Sequence, residues 1–394
     1  MHHFLALYLL TALPQISTTT APASQPDDAE DGKPKYMTAD TVSGLKLRGI
    51  GPAMMSGRVG DFAVDPSNRA RYFVAVCSGG VWKTENAGNT YEPVFDKAGS
   101  YSIGCLAMDP KTPNVVWVGA GENNSQRSVS FGDGIYRTRD GGKSWENLGL
   151  KESEHIGKIL IDPRDSNVVY VAAQGPLWRS GGDRGLYKTT DGGATWERIL
   201  HISDDTGINE VHCDPRDPDV LYASAYQRRR HVWTLVNGGP ESGIHKSTDG
   251  GKTWRKITSG IPASDKGRIG MAVCPVNPDL VYAIIEAQDK DGGFFRSTDR
   301  GETWAKMSDY NASSPQYYHE IVCDPKDENR VYSLDTFMHV TNDGGKTFTR
   351  MPQKSRHVDD HALFIDPTNT DYLLVGCDGG IYESFDRGAN WTHK

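Results

Sequence analysis

The sequence predicts an all-β protein, a seven-bladed β-propeller of four-stranded antiparallel blades in which an N-terminal strand closes the last blade. Three observations carry this. An eight-residue turn box recurs seven times, an apolar strand-turn-strand unit precedes each copy, and 43 Gly and 21 Pro occur in 394 residues. Helices have little use for so many breakers, whereas many short strands joined by turns need them.

The boxes are TENAGNTY from Thr84, TRDGGKSW from Thr138, TTDGGATW from Thr189, STDGGKTW from Ser247, STDRGETW from Ser297, TNDGGKTF from Thr341 and SFDRGANW from Ser384. This is the Asp-box pattern, and its chemistry is that of a hairpin turn. The carboxylate accepts backbone N–H bonds, the Gly takes a positive φ and the final aromatic wedges against neighbouring strands. Asn86, Asp140, Asp191, Asp249, Asp299, Asp343 and Asp386 are therefore expected to be structural. The first copy departs from the rest, with Asn86 for Asp and Tyr91 for Trp.

The units before the boxes, such as AMDPKTPNVVWVG and LIDPRDSNVVYVA, read as apolar strand, Asp-Pro turn and second apolar strand. A third strand such as Gly134 to Arg137 leads into each box, and a fourth starts at the box aromatic. Four strands in about 45 to 55 residues, repeated, make a propeller blade. Leu45 to Pro66 aligns in length and pattern with Trp254 to Pro275, so the chain begins on a fourth strand. Lys46 to Ile50 is thus expected to complete blade seven and remove a free sheet edge. The propeller occupies 45–394, preceded by a signal peptide at 1–23, built on the apolar run Phe4 to Leu13, and a disordered linker at 24–44 rich in Pro, Asp and Lys. Export to the periplasm, the cell surface or the medium follows. No other segment reads as a membrane span.

The net charge of −8 offers no basic face for a phosphate backbone, so nucleic acid is not an expected partner. The six Cys are widely spaced and read as small buried residues, although an oxidising compartment permits a Cys77–Cys377 bridge between neighbouring blades. No cofactor is expected.

In such blades the Asp-Pro turns and Asp boxes share one side of the disc. The loops of the other side are where the sequence stops repeating: GENNSQRSVSFGDG from Gly121, QGPLWRSGGDR from Gln174, YQRRRHVWTLVNGGPES from Tyr226, SPQYYHE from Ser314 and SRHVDDH from Ser355. Variable loops on a rigid ring are the expected seat of function. Tyr101, Trp178, Trp233, Tyr317 and Tyr318 can stack on sugar rings, and Arg127, Arg184 and the run Arg228, Arg229, Arg230 can pair with carboxylates or hydroxyls. His155, His319 and Glu320 start equivalent strands and suggest a polar ring at the channel mouth. Arg58 and Arg268, in two similar Gly-Arg-Val/Ile-Gly stretches, read as braces between blades. His357, Asp359 and His361 alternate along an expected extended stretch, which puts them on one side as a metal-competent set lacking a fourth ligand.

With SGGVWKT from Ser78, SEHIGKILIDPRDSNVVYVAAQGPLW from Ser153 and VGCDGGIYESFDRG from Val375, the chain resembles Asp-box propellers over 45–394. It is most similar to bacterial sortilin-type or BNR-repeat proteins related to xyloglucanases and oligoxyloglucan cellobiohydrolases. Members tend to be longer, so the resemblance implies a short or truncated form. The hydrolase branch uses two facing propellers, one catalytic Asp from each, flanking the sugar bond. At the first of those positions this chain has Cys77, and the carboxylate nearest the same place in another blade is Asp378. Sialidases need an Arg triad on a six-bladed ring with an Arg-Ile-Pro near the start, a motif that Leu47 to Pro52 matches poorly. Sortilin resemblance implies a binding protein whose wide channel holds peptides.

The expected function is an exported, ligand-binding propeller that recognises glycan or peptide on the face opposite the Asp boxes, with a protein partner as a further expectation. The alternative is a glycoside hydrolase related to xyloglucanases, acting through Asp378 and requiring a second propeller.

Overall fold

The computed structural model describes residues 41, 43–44 and 57–394. The leader expected at 1–23, the closing strand expected at Lys46–Ile50 and nearly all of the linker expected at 24–44 lie outside the described residues. Seven antiparallel sheets follow one another along the unit Met54–Lys394. Blade one is Val59–Val64, Tyr72–Val76, Gly80–Thr84 and Glu92–Pro93, and blade two is Ile103–Met108, Val116–Ala120, Ile135–Thr138 and Glu146–Asn147. Blade three is Ile156–Ile161, Val169–Ala173, Gly185–Thr189 and Glu197–Leu200. Blade four is Thr206–Asp214, Asp217–His231, Gly243–Ser247 and Arg255–Lys256, with Thr234–Asn237 folded back on the far end of its long second strand. Blades five and six start at Lys266–Val273 and Ile321–Cys323, and blade seven is Asp360–Ile365, Leu373–Cys377, Gly380–Ser384 and Thr392–His393.

Second strands such as Tyr72–Val76 and Val169–Ala173 are buried at every residue, because each blade packs both of its faces on neighbours. The outer position of blade seven is held by Thr392–His393, paired with Tyr382 and Glu383. The outer strands of blades one, two, four and six are likewise only two residues long.

Among the described residues, blades one and seven meet through side chains. Val59, Tyr72, Val74, Val76 and Trp82 of blade one pack on Tyr372, Leu374 and Ile381 of blade seven, much as Phe73 and Ala75 pack on Leu106 and Val118 of blade two. Polar contacts repeat around the Asp-Pro side. Arg71 reaches Asn114, Lys111 reaches the Arg164 carbonyl, Arg164 pairs with Asp219, Arg216 with Asp279, and Asn277 bonds Glu328. Lys326 reaches the Thr368 carbonyl, and Arg69 bonds Asp366 across the last interface.

Each Asp box is a hydrogen-bonded turn. In blade two Asp140 accepts from the Thr138 hydroxyl at 2.8 Å, the Ser144 N–H at 2.9 Å and the Ser144 hydroxyl at 2.6 Å. In the first copy Asn86 accepts the Thr90 N–H at 2.9 Å, and its amide donates to the Thr90 hydroxyl instead. The first box glycine is dispensable at a cost in strain, since Ala87, Arg300 and Arg387 hold the left-handed φ there at 57°, 59° and 61°. Trp145 and Trp196 donate their indole N–H to carbonyls of the preceding blade, Val94 and Leu148, which is the wedge role expected of the box aromatic.

These turns give the fold an acid limit. Hydrogen bonds, foremost from the hydroxyls of Ser144, Thr253 and Thr347, hold Asp140, Asp249 and Asp343 down to about 2, against 3.8 for an ordinary Asp. An unfolded chain takes up those protons first, so the stabilisation is complete above about pH 4 and is lost as pH falls through about 2. The melting midpoint is expected to drop steeply between those values. A midpoint that stays level across the interval contradicts the turn chemistry.

Candidate functional site

The face opposite the boxes is built by the loops between second and third strands and those entering the first strands. At its centre the blade-two loop that starts at Gly121 lies over the channel mouth. Ser125 N–H donates to the Gln316 carbonyl of blade six at 2.9 Å, while Arg228 and Arg230 of blade four donate to the carbonyls of Asn124 at 2.8 Å and Ser125 at 2.6 Å. Beneath it the space lined by Arg58, Cys77, Asn124, Arg268, Tyr317 and His361 is about 10 Å³, about enough for one water molecule. The wide peptide-holding channel implied by sortilin resemblance is not open at this mouth, because the loop of one blade has grown across it. A groove of about 830 Å³ lies on the Asp-box side, between Lys83 and Trp145, away from all of these groups.

Arg58 organises the mouth. Its guanidinium pairs with Glu122 of blade two, lies 3.7 Å from Asp378 of blade seven and sits over the Tyr317 ring of blade six at 4.9 Å. The expected inter-blade brace therefore joins four blades. Arg268 plays a weaker version of that role, donating to the carbonyls of Tyr317 and Tyr318 at 3.4 and 3.3 Å. Asp378 accepts from His361 at 2.9 Å, and His361 stacks on Tyr318 with ring centres 5.3 Å apart. Burial raises the Asp378 carboxyl, but the His361 hydrogen bond and the charges of His361 and Arg58 outweigh it, so the group is held below the usual range. It can accept a proton but is poorly placed to supply one. Burial, and then the Glu122 charge, push the Cys77 thiol well up, so it is neither a carboxylate substitute nor a nucleophile.

The sequence candidates fall into three groups. Tyr317, Glu320, Asp359 and His361 do meet at the mouth. Glu320 accepts from Asn123 at 3.2 Å and Asp359 accepts from the Tyr318 hydroxyl. His155, Arg184 and His319 are buried and unavailable to a ligand, contrary to expectation. His155 is pinned to the Glu122 carbonyl at 2.8 Å, and burial first, then Arg228, bring it down to about 3, so its ring is neutral. Arg184 bonds four backbone carbonyls, of Gln174, Pro176, Arg179 and Gly181, and holds its own loop. His319 has φ 130° and is fully buried, which pushes it well below the ordinary histidine value.

The third group stands exposed on the rim. Tyr101 is 63% exposed, Trp178 42% and Trp233 82%, with Arg127 exposed and Arg229 half-buried, 3.5 Å from Asp205. Phe131, 73% exposed, belongs with them and was missed, though it lies in the non-repeating loop from Gly121. These side chains come from blades two, three and four in succession. Ser102, next to Tyr101, bonds the carbonyl of Ser130, next to Phe131, at 2.8 Å. Trp233 and Val232 form the turn of the blade-four hairpin, whose ladder pairs Arg228 with Asn237 through His231 with Thr234.

The metal-competent set does not assemble. The strand begins only at Asp360, Asp359 has φ 68°, and His357 turns its Nδ1 to the Val358 carbonyl at 2.7 Å. One left-handed residue breaks the alternation that the spacing suggested. Among the described residues no group of three or more His, Cys, Asp or Glu is arranged to hold a metal. The Cys77–Cys377 bridge is absent too: all six cysteines are free, five buried and Cys213 half-buried. No helix among the described residues is long and apolar enough to cross a membrane.

Comparison with known proteins agrees with this architecture. The Sortilin-Vps10 family (sortilin, neurotensin receptor 3) matches residues 133–265 and 292–394. The chain is similar to the xyloglucanase Xgh74A of Acetivibrio thermocellus, 26% identical over 212 residues, 48% of this chain and 24% of that one. It is also similar to the oligoxyloglucan-reducing end-specific xyloglucanase of Emericella nidulans, 24% identical over 269 residues, 58% of this chain and 30% of that one. The chain thus spans about a quarter of the length of the curated relatives it matches. Among solved structures, the GH74 xyloglucanase from Xanthomonas campestris superposes with a TM-score of 0.63 at 15% identity, covering 85% of this chain and 53% of that one. YCF48 from Cyanidioschyzon merolae superposes at 0.54 with 16% identity, covering 84% and 97%. At such identities the likeness is one of fold.

Proposed function

We propose that this chain, which belongs to the Sortilin-Vps10 family, is an exported propeller that binds a glycan on its loop face and does not cleave it. The observation that carries the reading is a contrast between the two parts of that face. At the mouth Glu122, Glu320, Asp359, Asp360 and Asp378 each already hold a protein partner. On the rim Tyr101, Phe131, Trp178 and Trp233 are exposed, with only Trp233 among them stacked on another ring, His231. Glycosidic cleavage needs a proton donor and a second carboxylate on either side of the sugar bond. Asp378 is ionised, and Cys77 stands at the position where the resemblance calls for the other Asp. Stacking needs only exposed aromatic faces. The names of the relatives put xyloglucan first on the list of ligands to try.

The deciding experiment is affinity electrophoresis of the purified protein in gels cast with xyloglucan, other β-glucans and acidic polysaccharides, run beside a reducing-end assay on the same polymers and a peptide array. Retarded migration without new reducing ends is the expected result. Peptide binding with no retardation on any polymer removes the glycan reading. New reducing ends favour the second reading, a hydrolase using Asp378 as base, which Asp378→Asn must then abolish.

A further inference from the structure

Beside the exposed rings lie three Arg without counter-charges, Arg127 exposed and Arg228 and Arg230 buried, in a chain whose net charge is −8. Arg230 is the hub. Its side chain bonds the Ser125 carbonyl at 2.6 Å, which sets Arg127 two residues further along the same loop. Its backbone N–H bonds the Leu177 carbonyl at 2.8 Å, next to Trp178. Three residues further along the hairpin is Trp233 at the tip. Arg228, one turn of the ladder below, bonds only the Asn124 and Gly175 carbonyls and the Ser125 hydroxyl, and its Nε has no partner although the side chain is fully buried. Among the described residues neither Arg127, Arg228 nor Arg230 has a carboxylate within ion-pair distance, whereas Arg229 and Arg179 do. Burial first, and then the Arg127 charge, lower the Arg230 guanidinium, so these cations feel one another.

Guanidinium groups kept together without counter-charges are a site for anions. Exposed Trp rings, one next to the Leu177 that Arg230 bonds and one at the tip of the Arg230 hairpin, fit pyranose faces, and the two features together fit a sugar that is itself charged. Resting on the glycan-binding reading above, we infer that the ligand is an acidic polysaccharide, in which a uronate carboxylate pairs with the exposed Arg127, in the positive field of the buried Arg228 and Arg230, while the rings stack on Trp178 and Trp233. A neutral glucan satisfies the rings and leaves the cations unmatched. A nucleic acid is a polyanion too, and its phosphate chain is one of the outcomes that the test below separates.

The test uses the full chain and compares polygalacturonate, neutral xyloglucan and single-stranded DNA by titration calorimetry, at low salt and at about 0.5 M NaCl, where unburied charge pairs are screened. Polygalacturonate is expected to bind at least tenfold more tightly than xyloglucan and to weaken at least tenfold at high salt. Arg127→Ala should reproduce most of the salt effect, and Arg127→Lys should recover part of the loss. Arg127 is exposed, so neither variant threatens folding, whereas Arg228 and Arg230 hold the mouth loop and are left intact. Equal, salt-insensitive binding of xyloglucan overturns this inference and leaves the glycan reading standing. Binding of neither polysaccharide overturns this inference, and the glycan reading falls with it only when no polymer in the gel panel retards the protein. Tighter binding of DNA than of polygalacturonate assigns the cations to another ligand and overturns the inference as well.

Discussion

Trp233→Ala is expected to weaken glycan binding by at least tenfold, with no change in the melting midpoint. The side chain stands at the tip of the blade-four hairpin, 82% exposed, and its one ring contact is a stacked approach to His231 with centres 5.4 Å apart. Removing it takes almost nothing from the core. A stacking aromatic in a binding site is a frequent hot spot, and a loss of about 2 kcal/mol corresponds to roughly thirtyfold in affinity. Trp178→Ala should act in the same direction, and the double variant should no longer be retarded in the gel. Titration calorimetry and a thermal melt on the same samples check both halves. If Trp233→Ala binds as the parent does, the hairpin tip is not part of the glycan site.

Arg356→Met is expected to cost about 3–5 kcal/mol of stability, read from denaturant unfolding. Arg356 and Asp360 form a two-pronged pair whose side chains are completely buried, and the guanidinium lies 4.7 Å from the centre of the Trp391 ring. Burial raises the Asp360 carboxyl despite its partner. With the cation gone, Asp360 must stay charged in a dry site or carry a proton at neutral pH, and either is unfavourable. The double variant Arg356→Met, Asp360→Leu removes both charges and should recover much of the loss. A single variant as stable as the parent shows that the pair is not isolated from water.

Much of the fold was legible because its determinants are local. Asp140 meets Thr138 and Ser144 within one turn, and the same spacing repeated around the chain leaves one architecture. The site was less legible because it is assembled by closure. Arg58 and Glu122 are 64 residues apart, and nothing near either one signals that they pair. His155 looked available because it starts a strand at the channel mouth, yet the blade-two loop covers it. The His357, Asp359, His361 set failed for a backbone reason, since alternation is a property of extended chain and Asp359 is not extended. Aromatic candidates were only partly legible: Tyr101, Trp178 and Trp233 are exposed as a large ring in a non-repeating loop should be, but Tyr318 is buried and the exposed Phe131 was passed over.

The polar contacts that run from Arg71 and Asn114 round to Arg69 and Asp366 leave the disc without a distinguishable seam. In a stack of repeats the two end units have one neighbour each and fray first. In a closed circle every blade has two, so parting any single junction merely turns the ring into an arc whose other six junctions still hold. No blade can leave until a second junction parts as well. The loop face is thereby a rigid platform whose opposite sectors keep their spacing while the hairpin and the mouth loop do the adapting, and a polymer lying across three blades meets a surface of constant pitch.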